Sequence, residues 1–116
     1  KTSSIRLVQP KVGQYEVKGD VSLRVLDTAM PRIPVVNYIN NNNIVLQFRY
    51  KSFTALLAGD QGFEEETRVM RRFSSVRSTL YKLSHHAGAG SNGQRWMRQV
   101  TPEIAVAPMP AWLSSA

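Results

Sequence analysis

Two places in this sequence carry side chains suited to chemistry. Asp60 follows the apolar run Phe53–Ala58 and a glycine, Gly59. A carboxylate at the end of a buried strand is held rigidly, and Gly59 lets the backbone turn close to whatever Asp60 holds. The ordinary alternative is a turn aspartate, or a cap for a helix starting near Gly62. The second place is His85-His86, the only two histidines, followed by Ala87-Gly88-Ala89-Gly90-Ser91. Neutral imidazole is the commonest protein ligand for zinc and related metals. Adjacent residues on an extended strand point oppositely, so one histidine would be the ligand and the other would contact substrate or act as general acid. Two exposed loop histidines are the plain alternative. Aspartate with histidine suits zinc or manganese, yet a catalytic metal needs about three protein ligands, more than this chain offers. The absence of cysteine excludes disulfides, thiolate zinc sites and thiol nucleophiles.

The elements that must position these groups are legible in outline. Val21–Asp27 alternates apolar and polar residues after a Gly19-Asp20 turn, the period of a half-buried strand, and Tyr15–Lys18 could precede it as a hairpin partner. Met30–Asn43, with two prolines and four consecutive asparagines from Asn40, reads as a loop. Ile44–Tyr50 alternates again, with Ile44, Leu46, Phe48 and Tyr50 on one face and Val45, Gln47 and Arg49 on the other. After a Lys51-Ser52 turn, Phe53–Ala58 has the composition of a strand buried on both faces. Gly62–Arg72 has glutamates in its first turn and arginines in its last, the polarity a helix dipole favours. Ser78–Ser84 reads as a strand with Leu80 and Leu83 as core candidates, and Asn92 is placed to cap a helix running to about Val100. Ile104–Ala107 is a last short strand. The order β-β-β-α-β-α-β, with the extra strand at Tyr15 optional, predicts a layered α/β fold with a mixed sheet and flanking helices. Both chemical sites then follow strands, with one helix between them, and strand ends are where such folds gather their sites.

The chain has 116 residues, 42% hydrophobic and 20% charged, which is ordinary globular composition and room for one domain or part of one. The net charge of +7 favours polyanions. Its basic residues are scattered, so a basic surface with no specific partner is an equally good account. The densest group is Arg68, Arg71 and Arg72, followed by Arg77 and Lys82. Arg71, Arg72 and Lys82 are the candidates for phosphate or polyanion contact, since guanidinium forks match phosphate oxygens. No stretch approaches the ~18 apolar residues of a membrane span. The sequence opens on Lys1 with no signal peptide, as a fragment or processed piece would.

Several runs together resemble a known family. Asn42–Tyr50 followed by Phe53–Asp60 is similar to the hydrophobic strand, turn and F-L-L-T-G-D segment of ComEC-type metallo-β-lactamase domains. Leu80–Gly88 (LYKLSHHAG) resembles their L-K-V-x-H-H-G-S motif, and Val100–Val106 their V-x-P-x-x-A-V strand. The resemblance spans roughly Val21–Val106. It implies an αββα sandwich of which this chain is the second half, one partial domain over residues 1–116 with 1–14 and 108–116 irregular. It implies Asp60 as the carboxylate bridging two divalent ions, zinc or manganese, with His85 or His86 the last ligand of the second ion. It also implies hydrolysis of phosphodiesters or related esters, a nuclease or phosphodiesterase activity in which two metals activate water and clamp the reacting oxygens.

Two departures shape the expectation. The family's His-x-His-x-Asp-His cluster is absent, so the missing N-terminal half of the domain is an expected partner and this chain alone should bind metal weakly at most. Ala87 stands where the family motif has glycine, with Gly88 one residue later. Beside the hydrolase reading stand a non-catalytic basic module that binds nucleic acid or another polyanion, and a degenerate structural remnant. Half a sandwich of the latter kind would leave an apolar sheet face uncovered.

Overall fold

The computed structural model describes residues 4–36 and 39–110. Strands β1 (Gly13–Lys18), β2 (Val21–Asp27), β3 (Val45–Tyr50) and β4 (Phe53–Leu57) are followed by helix α1 (Phe63–Arg72), β5 (Leu80–Lys82), a short 3-10 turn (Ser84–Ala87), helix α2 (Gln94–Val100) and β6 (Ile104–Val106). One six-stranded sheet takes them in sequence order. The β1–β2, β2–β3 and β3–β4 pairings are antiparallel, the first and last across tight turns and the middle one across the long segment between Asp27 and Val45; β4, β5 and β6 run parallel, each joined to the next through a helix. Parallel neighbours need a crossover, which the helical connections after β4 and β5 supply, so the sheet is mixed. The expected α/β class is what forms.

The core lies between one sheet face and the helices. Leu26, Val45, Leu56 and Ala58 from the sheet side pack with Val69 of α1, with Trp96 and Val100 of α2, and with Val76 and Tyr81. Val45 and Gln47 of β3 face this side. Gln47 is admitted because its amide donates to the Arg77 carbonyl (2.9 Å) and to Ser78 Oγ (2.8 Å). In β5 the central core residue is Tyr81, with Leu80 and Leu83 only partly buried. That strand is also shorter than Ser78–Ser84 suggested, because Ser84 already opens the turn that carries the histidines.

A register shift between Val25 and Asp27 brings Asp27 opposite Val45. The bulge turns the Asp27 side chain to the helix face. There it is wholly buried, with Arg68 Nε at 2.6 Å from one oxygen and Arg72 Nη1 at 2.6 Å from the other. Buried charge is tolerated only when paired in this way.

The opposite sheet face is apolar and open. Tyr15, Leu23, Phe48, Ala55, Leu80 and Ile104 stand in one cross-strand row. Tyr50, Phe53, Leu57 and Val106 lie beside it, each 40% exposed or more. The expectation that β4 is buried on both faces therefore fails: Leu56 is covered by the helices, but Phe53 and Leu57 have no covering layer among the described residues. Among the described residues the β1–β3 end is partly roofed, where Val8 and Pro10 line a cleft of about 360 Å³ over Leu23, Val25 and Leu46.

Candidate metal centre

Strands β4 and β5 are parallel neighbours, with Leu57 opposite Lys82 at their C-terminal ends. The chain beyond β4 (Ala58-Gly59-Asp60) and beyond β5 (Leu83-Ser84-His85-His86) therefore emerges side by side. The His85 amide donates to the Gly59 carbonyl at 3.2 Å, and Lys82 Nζ reaches the same oxygen at 3.2 Å. This stitch sets the two candidate positions against each other.

Asp60 is not the helix cap that its position allowed. The N-cap of α1 is Gly62, and the amide of Glu65 is satisfied by Asn41 Oδ1 at 3.1 Å. The Asp60 carboxylate is left 41% exposed, facing His86 Nε2 at 3.6 Å from Oδ1. His86 Nδ1 lies 2.8 Å from the Pro108 carbonyl. A carbonyl only accepts, so Nδ1 carries a proton, and Nε2 is the ring nitrogen turned toward Asp60. A backbone carbonyl on the second ring nitrogen is the usual support of a ligating histidine. Two donors each ~2.1 Å from one zinc ion lie roughly 3–3.5 Å apart, so a small side-chain rotation fits this pair to a shared cation. His85 turns away, its Nε2 at 3.5 Å from Asn40 Nδ2.

The histidines sit in a turn rather than on a strand. His85 (φ 50°, ψ 42°), His86 (φ 54°, ψ 32°) and Ala87 (φ 63°) are three successive left-handed residues. Each carries a cost of about 1–2 kcal/mol for an L-residue with a Cβ. Such strain persists only where the surroundings over-determine it. Gly88 has no such freedom to spare: a Cβ there would lie 2.7 Å from the His85 carbonyl oxygen.

Side chains that the sequence reading passed over hold both loops. Asn43 Oδ1 accepts from the Asp60 amide at 3.4 Å, and a Cβ on Gly59 (φ +57°) would collide with it at 2.9 Å. Asn43 is held in turn by Glu65, which accepts from its amide (2.9 Å) and from Nδ2 (3.0 Å). On the other side Asn92 grips Ser84 at both backbone atoms, Oδ1 accepting from its amide and Nδ2 donating to its carbonyl. Asn92 therefore does not cap α2. Glu66 reaches from across the fold to hold the two residues that precede α2, accepting from the Asn92 amide (2.5 Å) and the Gly93 amide (3.0 Å). Burial pushes the Glu65 carboxyl up to about 7, with Asp27 adding to the rise and the Asn43 donors and Arg68 opposing it. Burial likewise pushes Glu66 up to about 7 against the pull of the Gly93 and Asn92 amides. The sequence held a signal for this: Glu65 and Glu66 fall on the stripe of Val69 and Phe73, at helical spacing on the inward face.

The phosphate candidates separate. Lys82 lies at the β4–β5 ends beside Gly59. Arg71 and Arg72 line a groove of about 550 Å³ along α1 with Ile33, Glu64, Thr67 and Arg68, a lining that contains none of Asp60, His85 or His86. Among the described residues no three His, Cys, Asp or Glu side chains come together as a metal cluster. No described helix is long and apolar enough to cross a membrane.

The chain is similar to ComE operon protein 3 of Bacillus subtilis (strain 168). The two are 30% identical over 106 residues, which is 91% of this chain and 13% of that relative. No family model matches the chain. The shared region thus takes in the Gly59-Asp60 turn, the histidine turn and the strands that bring them together, within a relative much longer than this chain.

Proposed function

We propose that this chain supplies one side of a dinuclear metal site in a ComEC-like hydrolase of the metallo-β-lactamase type, acting on phosphodiester bonds. The observation that carries the reading is the pairing of Asp60 with His86: an exposed carboxylate and an imidazole whose Nδ1 proton is committed to a backbone carbonyl, leaving Nε2 3.6 Å from Oδ1. The similarity to ComE operon protein 3 over nearly the whole chain supports it. Asp60 and His86 would hold the ions, with His85 at the rim as a substrate contact or general acid. Bound zinc or manganese supplies an activated water and charge neutralisation at the phosphoryl oxygens. What the chain itself provides is a fixed carboxylate, an imidazole held at Nδ1 by a backbone carbonyl and the Lys82 ammonium beside them.

The remaining ligands belong to the N-terminal half of the domain. The open apolar face over Phe48, Tyr50, Phe53, Leu57 and Ile104 is what such a half would cover, since an uncovered patch of this kind favours association. The alternative of a basic polyanion-binding module has less support, because Arg68 and Arg72 are spent on Asp27.

The test is phosphodiesterase activity of the full-length protein with zinc or manganese. Asp60→Ala and His86→Ala should each lower it by at least about 100-fold. Undiminished hydrolysis by Asp60→Ala removes the proposal.

A further inference from the structure

The two buried glutamates of α1 are neighbours in sequence, yet they reach opposite sides of the candidate site. Glu65 spends both oxygens on Asn43, and Asn43 holds the Asp60 amide. Glu66 spends both oxygens on the Asn92 and Gly93 amides, and Asn92 holds Ser84, the residue before His85. Among the described residues neither carboxylate touches Asp60, His85 or His86, and the ion pair they take part in is the buried one of Glu65 Oε1 with Arg68 Nη2 at 3.8 Å. Two carboxylates inside an α/β core are costly unless every oxygen is used, and here every oxygen is.

We infer that Glu65 and Glu66 are positioning residues, each fixing one of the two loops, so that one turn of α1 sets the separation of Asp60 from His86. The inference rests on the reading that these two residues share a metal, but its mechanical content is independent of any metal. The chain of contacts runs Glu65–Asn43–Asp60 on one side and Glu66–Asn92–Ser84–His85 on the other, with the Gly59–His85 backbone bond closing the loop between them. The left-handed run at His85–Ala87 is the segment that most needs such restraint, since relaxation of Ser84 would release it. Glutamine is the decisive substitution. It keeps the shape but turns one acceptor oxygen into a donor, which then faces an N–H that already donates.

The test is NMR of the isotopically labelled full chain without metal, for the wild type, Glu65→Gln and Glu66→Gln. Glu65→Gln should shift the Asn43 and Asp60 amides and leave the His86 ring nitrogens in place. Glu66→Gln should shift the Asn92, Gly93 and Ser84 amides and the histidine ring signals, and leave the Asp60 amide in place. Shifts that spread equally over both loops in both variants, or that fail to reach Asp60 and the histidines, overturn the inference. A pH titration of the wild type gives a second readout that needs no variant. The charged and titratable groups facing Glu65 are Asp27 and Arg68, and those facing Glu66 are Glu64 and Tyr81. The Asp60 amide should follow the same midpoint near neutrality as Asn43, and the Ser84 amide that of Asn92. Flat profiles at Asp60 and Ser84 overturn the inference as well. Zinc titration of the full-length protein keeps the two readings apart: if no zinc binds while the amides behave as expected, the metal reading falls and the positioning role stands.

Discussion

At the scale of single residues, the local chemistry is decided by what lies one contact behind the candidate ligands. The Pro108 carbonyl holds His86 Nδ1, and Asn43 fixes the Asp60 backbone. Ala87 is the residue most at odds with its conformation, a Cβ-bearing residue at φ 63°. Ala87→Gly should raise the unfolding free energy by roughly 1 kcal/mol, read as a higher urea midpoint at unchanged slope. An unchanged or lower midpoint would show that the turn is not strained at this position. The buried glutamates give a pH dependence with a definite sign. Their ordinary value is 4.5, and in the folded chain both rise to about 7. The folded state therefore binds more protons than the unfolded one between those values. This contribution to stability is fully present below about 4.5 and is lost as pH rises through about 7. Urea unfolding at pH 5 and pH 8 should show a loss toward pH 8 on the order of 2 kcal/mol from each glutamate in the wild type, and a smaller total for the Glu65→Gln, Glu66→Gln double variant. Equal losses in the two proteins would be incompatible with this account.

At the scale of elements, strands deliver the ligands and a helix holds the loops that bear them. The Gly59-Asp60 turn is legible in sequence as an apolar strand ending in a glycine, and the histidine pair as the end of another. Their adjacency follows from parallel pairing of β4 with β5. The run Asn40–Asn43 read only as a loop, because a string of one residue type carries no period. In the structure Asn41 serves the α1 N-terminus, Asn42 bonds the backbone of Ile33 at both its amide and carbonyl, and Asn43 holds Asp60. Gly59→Ala should be tolerated poorly, since its Cβ meets Asn43 Oδ1 and its φ is +57°. A loss of about 1–2 kcal/mol is expected, together with a shifted Asp60 amide resonance. The β2 bulge makes a comparable demand. Asp27→Ala leaves the Arg68 and Arg72 guanidinium groups without their shared carboxylate and should cost about 3 kcal/mol in chemical denaturation. A cost below about 1 kcal/mol would mean that solvent replaces Asp27 readily.

At the scale of the whole molecule, the sheet has one face covered by the helices and one that is largely uncovered among the described residues. That face is lined by Tyr15 of β1, Phe48 and Tyr50 of β3, Phe53 and Leu57 of β4 and Ile104 of β6. The isolated chain should therefore self-associate with concentration in sedimentation runs, and Phe48→Ser with Phe53→Ser should suppress this without changing the far-UV circular dichroism. A wild-type chain that stays monomeric at high concentration would argue that the N-terminal segment around Val8 and Pro10 covers more of the face than its cleft suggests.

The sequence by itself determined the elements, their order, the α/β class and the two strand-end positions where chemistry could reside, because periodicity, glycine turns and helix charge polarity are local properties of the chain. It could not determine which face of β3 meets the helices. Alternation alone would send the apolar face of Ile44, Leu46, Phe48 and Tyr50 inward, whereas Val45 and Gln47 are the buried residues, because the crossover helices pack on their side. Nor could it place Asp27 inward, since a bulge shifts the alternation by one residue. The roles of Glu65, Glu66, Asn43 and Asn92 also belong to the tertiary structure. Their partners lie about 20 residues or more away along the chain for the glutamates, and a hydrogen bond at that separation is set by how α1 docks against the loops rather than by any local pattern.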